Sequence, residues 1–344
     1  MLQSERLQTF VALGNFLRSA SAQSELTQVT QQAHHKNNWF TPANTSVALK
    51  AIADEFLNAD KLTTWLNQYP DKPNQPCTVG VVMAGNIPAV GFHDLLCVLM
   101  SGHKLLAKLS NQDFALIHYL IQKLKEINPA FNSLITEAER LNAADAYIAT
   151  GSNNTARYFD YYFAKKPHII RKNRTSVGLL MGEESEEEFQ KLGHDLSDYY
   201  GLGCRNVSTL LVPEGYDFTP LLRALEPQAS RYLNNHKYQN NYDYNKSIYL
   251  INAVPHLDNG YLLLTQNDGL VSPISVVYYQ TYRTLTDATA WFDERADRIQ
   301  VVASAQGWYT GSPALPGVPF GQTQRPGLSD YADGIDTMSF LTQL

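Results

Sequence analysis

Apolar residues recur at Leu7, Phe10, Val11, Leu13 and Phe16, close to a 3.6-residue period, so the chain predicts an amphipathic helix near its start. A second helix is expected from Asn44 or Thr45 through "SVALKAIADEFLNADKLTTWLNQY". It stops at Pro70, Pro73 and Pro76, which read as a linker. The texture then changes to short apolar runs alternating with helical patterns. "CTVGVVMA", "HKLLAKLS", "DAYIATGS" and "TSVGLLMG" predict strands. "AVGFHDLLCVLMSG", "NQDFALIHYLIQKLKEI" and "NNTARYFDYYFAKK" predict helices between them. This alternation predicts βαβ units and therefore an α/β fold with a parallel sheet.

"EESEEEFQKLGHDLSDYY" opens on a capping box, Ser185 with Glu188, and a run of acids that favours a helix start. That helix should stop at Gly201, which leaves Cys204 just beyond it. Downstream, "STLLVP", "KSIYLIN", "YLLLTQ", "PISVVYYQ" and "IQVVAS" predict strands, and "PLLRALEPQASRYL" and "DATAWFDERA" predict helices. "NNHKYQNNYDYNK" reads as a polar surface loop, and "YTGSPALPGVPFGQTQRPGLSDY" as ordered loop. The expected organisation is a helical segment over 1–75, a dinucleotide-binding domain over 76–182 and a catalytic domain over 183–315. A final segment, 316–344, is expected to pack back on the cofactor domain.

Composition narrows the function classes. The net charge of −6 gives no positive field for a nucleic-acid partner. The longest apolar stretch is broken by Asn86 and Pro88 and cannot span a bilayer, and the first residues carry no secretory pattern. Three cysteines without CxxC spacing argue against a disulfide framework or a structural zinc and fit a reducing cytoplasm. The nine histidines show no metal spacing.

Four stretches carry candidate chemistry. Cys204 lies in "GLGCR", where two glycines open the backbone and Arg205 favours a thiolate, while a lone cysteine reads equally as an inert core residue, as Cys77 and Cys97 do. Asn86 in "MAGNIP" follows a strand, where an amide can donate to an oxyanion. A turn asparagine before a proline-initiated helix accounts for it equally well. Gly151 and Ser152 in "IATGSNN" sit between strand and helix, as a phosphate-binding turn does, and as a plain cap does. "KKPHIIRKNR" holds six basic residues in ten positions: a solvated strand edge, or phosphate contacts through Arg171 and Lys172. No G-x-G-x-x-G, Walker A or G-x-S-x-G motif is present.

In order along the chain, "GNIP", "LLAKLSN", "ATGS", "GLGC", "SPISVV" and "FGQTQRPGLSDYADG" resemble the aldehyde dehydrogenase superfamily. They look most like its acyl-CoA reductase branch, related to the fatty-acid reductase of bacterial bioluminescence. The resemblance runs from about residue 35 to the end. It implies a Rossmann-type cofactor domain beside an α/β catalytic domain. It assigns the nucleophile to Cys204 and the oxyanion donor to Asn86, helped by the Cys204 backbone N–H. Lys108 and Ser110 match the adenosine-ribose contact, and Gly151 and Ser152 the pyrophosphate turn.

The implied reaction is reduction by NADPH or NADH of an acyl thioester, with CoA as leaving group, to an aldehyde. Aldehyde oxidation, acyl-phosphate reduction, acyl transfer without hydride and a non-catalytic binding role stay open. A cytoplasmic location, a small-molecule acyl thioester as substrate, and an acyl-donating protein or a homo-oligomer as partners go with the resemblance. Two departures matter. No carboxylate lies between Asp160 and Glu183, where hydrolytic members carry a base, so a Cys204 thioester should resist water. Gly269 stands where those members use a glutamate to hold the nicotinamide ribose.

Overall fold

A computed structural model describes residues 1–70, 75–151, 153–305, 308–312 and 315–344. Ser152 and part of the proline-rich linker, Pro73 included, lie outside the described residues. The chain divides into two units, Met1–Asn173 with Pro326–Leu344, and Arg174–Arg325.

The first unit is built on five parallel strands: β1 (Thr78–Val82), β2 (Lys104–Lys108), β3 (Ile135–Glu137), β4 (Ala146–Thr150) and β5 (His168–Arg171). Their order is β3-β2-β1-β4-β5, so the winding reverses between β1 and β4. The helices of this unit are α1 (Gln3–Arg18), α2 (Gln23–Lys36), α3 (Pro42–Ala51), α4 (Ala59–Leu66), α5 (Phe92–Met100), α6 (Phe114–Ile127) and α7 (Asn153–Phe163). The second helix expected from sequence is two. Thr41 caps α3 with Pro42 in its first turn, and Asn58 accepts from the amides of Asp60 and Lys61 to start α4.

The segment expected to stand apart as 1–75 shares one core with the sheet. Phe10, Leu13, Phe40 and Trp65 pack with Val79, Val81, Leu95, Leu105 and Leu120. Burying the four side chains of this segment stabilises by roughly 8 kcal/mol before the entropy of ordering them is counted.

The second unit holds an eight-stranded sheet, order β12-β13-β11-β6-β7-β10-β9-β8. Its strands are β6 (Thr175–Leu179), β7 (Val207–Pro213), β8 (Leu257–Asp258), β9 (Leu263–Gln266), β10 (Val276–Tyr282), β11 (Ile299–Ser304), β12 (Gly311–Ser312) and β13 (Leu315–Pro319). All pairs are parallel except β8 with β9 and β12 with β13. Helices α8 (Glu186–Ser197), α9 (Thr219–Leu225), α10 (Ala229–Leu233), α11 (His236–Ile251) and α12 (Leu285–Asp293) belong here, and α13 (Thr337–Thr342) to the first unit.

The expected α/β class with a parallel sheet holds, while several boundaries move. The division falls after Asn173 rather than after 182, because β6 pairs with β7 and β11. Residues 316–325 likewise stay with the second unit, since β13 pairs with β11. "NNHKYQNNYDYNK" and "KSIYLIN" form α11 rather than a loop and a strand. Asn235 caps that helix, and Tyr238, Tyr242 and Asn245 at helical spacing bury one face. Part of the expected Gly/Pro-rich loop is β12 and β13.

Candidate active site

In the second unit α8 starts on the Ser185–Glu188 capping box, with Ser185 Oγ accepting from the Glu188 amide at 3.3 Å. It ends in an unusual turn. Tyr199, Tyr200, Gly201 and Gly203 all have positive φ, at 53°, 61°, 78° and 95°. Left-handed backbone at two tyrosines costs about 1–2 kcal/mol each, and such strain persists only where surroundings impose it. Here both rings are buried, and Tyr200 packs edge-on to Tyr232 at 5.9 Å. The turn closes through the Asn206 amide to Gly203 O, 3.3 Å, and is fixed to β6 by Ser176 Oγ, which donates to Cys204 O at 3.1 Å. The strain thus delivers Cys204, half-buried, ahead of β7. Arg205 donates through Nη1 to Thr323 O at 3.5 Å.

Asp195 on α8, 1% exposed, secures the segment that Arg205 reaches. It accepts from Gly321 N (2.6 Å), Thr323 N (3.1 Å) and Thr323 Oγ1 (2.7 Å). Burial outweighs these bonds and pushes its carboxyl up to about 6. The folded value exceeds the unfolded one, so the folded state binds the extra proton. This group's contribution is present below about pH 4 and is lost as pH rises to about 6. Tm–pH profiles of wild type and Asp195→Asn are expected to diverge over that window, by roughly 2–3 kcal/mol in stability. Parallel profiles would contradict this.

The other thiols are placed differently. Cys97 is fully buried, and burial raises its pKa well above the ordinary thiol value. Cys77 lies 3.3 Å from His103 Nδ1, but that nitrogen also faces the Cys77 backbone N–H at 3.1 Å. Burial raises the Cys77 thiol as well. Both environments disfavour a thiolate.

In the first unit the remaining candidates gather at the carboxyl ends of β1, β2 and β4, beside the reversal point where parallel sheets bind ligands. Asn86 is exposed on the loop after β1. Lys108 ends β2 exposed, its carbonyl accepting from Met83 N at 3.1 Å. Ser110 Oγ accepts from the Gln112 amide at 3.2 Å. Gly85 packs so closely on Ser110 that a Cβ there would overlap Ser110 Oγ. Gly151 follows β4 and donates to Arg171 O at 3.4 Å. An exposed cation, a hydroxyl and the start of α7 at one end of one sheet fit a dinucleotide.

Arg171 does not join them. It is 4% exposed, its Nη1 bonds Asp94 Oδ2 at 2.7 Å and its Nη2 bonds Thr337 Oγ1 at 2.8 Å. The expected phosphate contact is therefore a buried ion pair that ties β5 to α5 and α13. Lys172 is exposed, with its backbone N–H on Asp333 Oδ2 at 3.0 Å. Arg171→Met strands the Asp94 carboxylate and is expected to cost about 3–5 kcal/mol, seen as a lowered Tm. A wild-type Tm would contradict that role.

Both sequence departures have structural counterparts. Residues 161–182 supply β5 and the fully buried β6, with no carboxylate. A Cβ at Gly269 would lie 2.9 Å from Asn267 Oδ1 and 3.1 Å from Tyr278 Cε2, so a glutamate there would require both side chains to shift. Among the described residues no three His, Cys, Asp or Glu side chains are grouped to hold a metal ion, and no helix is long and apolar enough to cross a membrane. Sequence reading missed Asp113 and Asp195. Each shows only as an acid at or within a helix, and its burial is a tertiary property.

No family model and no curated protein matches the chain. Solved structures do. An NAD-dependent aldehyde dehydrogenase from Sinorhizobium meliloti matches at 13% identity and TM-score 0.68, over 95% of this chain and 73% of that one. An NADP-dependent enzyme from E. coli matches at 12% and 0.68, over 93% and 77%. An acetylating aldehyde dehydrogenase from Geobacillus thermoglucosidasius matches at 12% and 0.65, over 97% and 84%. At such identities the likeness concerns architecture, and the chain has the aldehyde dehydrogenase fold.

Proposed function

We propose that the protein reduces an acyl thioester, with fatty acyl-CoA as the favoured substrate, to an aldehyde through an acyl-enzyme on Cys204. One observation carries this reading: a half-buried thiol set by a left-handed turn ahead of a parallel strand, in a fold whose neighbours act on aldehydes. The absence of any carboxylate over 161–182 favours passage of the acyl group between thiols over hydrolysis.

The Cys204 thiolate attacks the thioester carbonyl, and Asn86 with the Cys204 N–H stabilises the oxyanion. The C–S bond to CoA breaks, and CoA leaves as a thiol after taking a proton. A bound NADPH or NADH supplies the hydride that turns the acyl group into an aldehyde. Lys108, Ser110, Gly151 and Ser152 are the residues assigned to hold it, with Lys172 as a further phosphate contact. Collapse of the Cys204 thiohemiacetal then returns the thiolate. Kinship to the bioluminescence reductase rests on the motif order and on the stretches "NNWFTPANTSVALKAIADEFLN" and "LTTWLNQYP" before the first strand.

The test is an acyl-CoA panel assayed for free CoA, aldehyde trapped as a hydrazone, and NADPH or NADH consumed. The expected result is all three in equal amounts. Acid from free aldehyde and NAD(P) would replace this reading with aldehyde oxidation. CoA release to an acceptor thiol without cofactor would replace it with acyl transfer.

A further inference from the structure

We propose that Asp113 is the positioning residue of the Asn86 loop: its buried carboxyl fixes Ala89 and so sets the direction in which the Asn86 amide is presented. The inference rests on Asn86 acting as the oxyanion donor proposed above.

Asp113 is 2% exposed and stands immediately before α6. Its Oδ2 accepts from the Ala89 backbone N–H at 2.7 Å. Its Oδ1 is buried with no hydrogen-bond partner among the described residues. Ala89 is 2% exposed and has φ 56°, a left-handed conformation that a residue with a Cβ holds only when something imposes it. Among the described residues, the Asp113 carboxyl is the side chain that hydrogen-bonds that backbone. On the upstream side of Asn86, Gly85 lies against the same turn, where an added Cβ would come 3.2 Å from Asp113 Cβ. On the downstream side the Phe92 amide closes on Ala89 O at 3.0 Å and leads into α5.

Asn86, Ile87 and Pro88 therefore arch between two tethers, and the 110–113 turn supplies both. A buried carboxyl with one oxygen unsatisfied is a costly way to hold a loop for stability alone, since an apolar side chain would fill the space. Burial pushes this carboxyl well above its ordinary range, against the pull of the Ala89 N–H. What the loop needs is an acceptor at Oδ2, and an asparagine supplies one.

The test measures acyl-enzyme formation as release of the CoA thiol from acyl-CoA, without nicotinamide. It compares wild type, Asn86→Ala, Asp113→Ala, Asp113→Val, Asp113→Asn and the Asn86→Ala/Asp113→Ala double variant. Loss of the tether is expected to slow acylation about tenfold to a hundredfold, with KM for acyl-CoA moved less than about threefold. Asp113→Asn should stay within about threefold of wild type, because it keeps the acceptor. The double variant should be no slower than Asn86→Ala, since a residue that acts through Asn86 has nothing left to position. Wild-type rates in folded Asp113→Ala or Asp113→Val, or losses that multiply in the double variant, would overturn the inference. So would loss of the fold in both of those variants, which would make the carboxyl a folding element. A wild-type rate in Asn86→Ala would instead remove the oxyanion assignment, whatever Asp113 does.

Discussion

Cys204→Ala should fold and lose aldehyde formation altogether, a drop of roughly 10⁴-fold or more. The size follows from the chemistry assigned to the thiol, which forms and breaks every covalent bond between protein and substrate. Neither other thiol of the chain is suited to replace it: Cys97 is buried, and burial raises the pKa of both Cys97 and Cys77. The fold should survive because Tyr199, Tyr200, Ser176 and the Gly203–Asn206 bond hold the strained turn, and alanine keeps the Cys204 carbonyl to which Ser176 donates. A half-buried Cys→Ala change of this kind costs about 1 kcal/mol or less. Melting curves and turnover measured on one preparation separate the two effects. Turnover at the wild-type rate in the folded variant would remove Cys204 from the chemistry.

Asn86→Ala is the next largest expected effect. One preorganised oxyanion donor is worth about 10²–10³ in kcat, roughly 3–4 kcal/mol of barrier. Asn86 is exposed, while the neighbours that shape its loop, Gly85, Pro88 and Ala89, are buried. Stability should therefore change by no more than about 0.5 kcal/mol. The donor acts on charge that develops at the transition state, so kcat should fall much more than KM rises. A variant that lost affinity for acyl-CoA at unchanged kcat would make Asn86 a binding residue and not an oxyanion donor.

The parts of this molecule that were legible in sequence are those that depend on local pattern. β1, β2, β4 and β6 fall within the expected apolar runs, and α8 begins on the capping box that marks it. The glycine-bracketed setting of Cys204 was visible, although the positive φ of two tyrosines before it was not, because neither residue type signals that conformation. α11 was hidden because its buried face is made of tyrosines and an asparagine, which count as polar in any hydropathy pattern. Arg171 was misread for a different reason. Within "RKNR" it looks like its basic neighbours, and its partner Asp94 lies 77 residues away in sequence. Asp113 and Asp195 share that blindness, since a carboxylate is read as surface until the fold closes over it.

The central claim is that Cys204 takes up an acyl group from a thioester. Intact-protein mass spectrometry of wild type and Cys204→Ser, mixed with a panel of acyl-CoAs and no nicotinamide, tests it most directly. The account predicts one acyl adduct on wild type, none on Cys204→Ser at the same reaction time, and discharge of the adduct as aldehyde when NADPH or NADH is added. No adduct at any chain length, or an adduct that persists in Cys204→Ser, would contradict it.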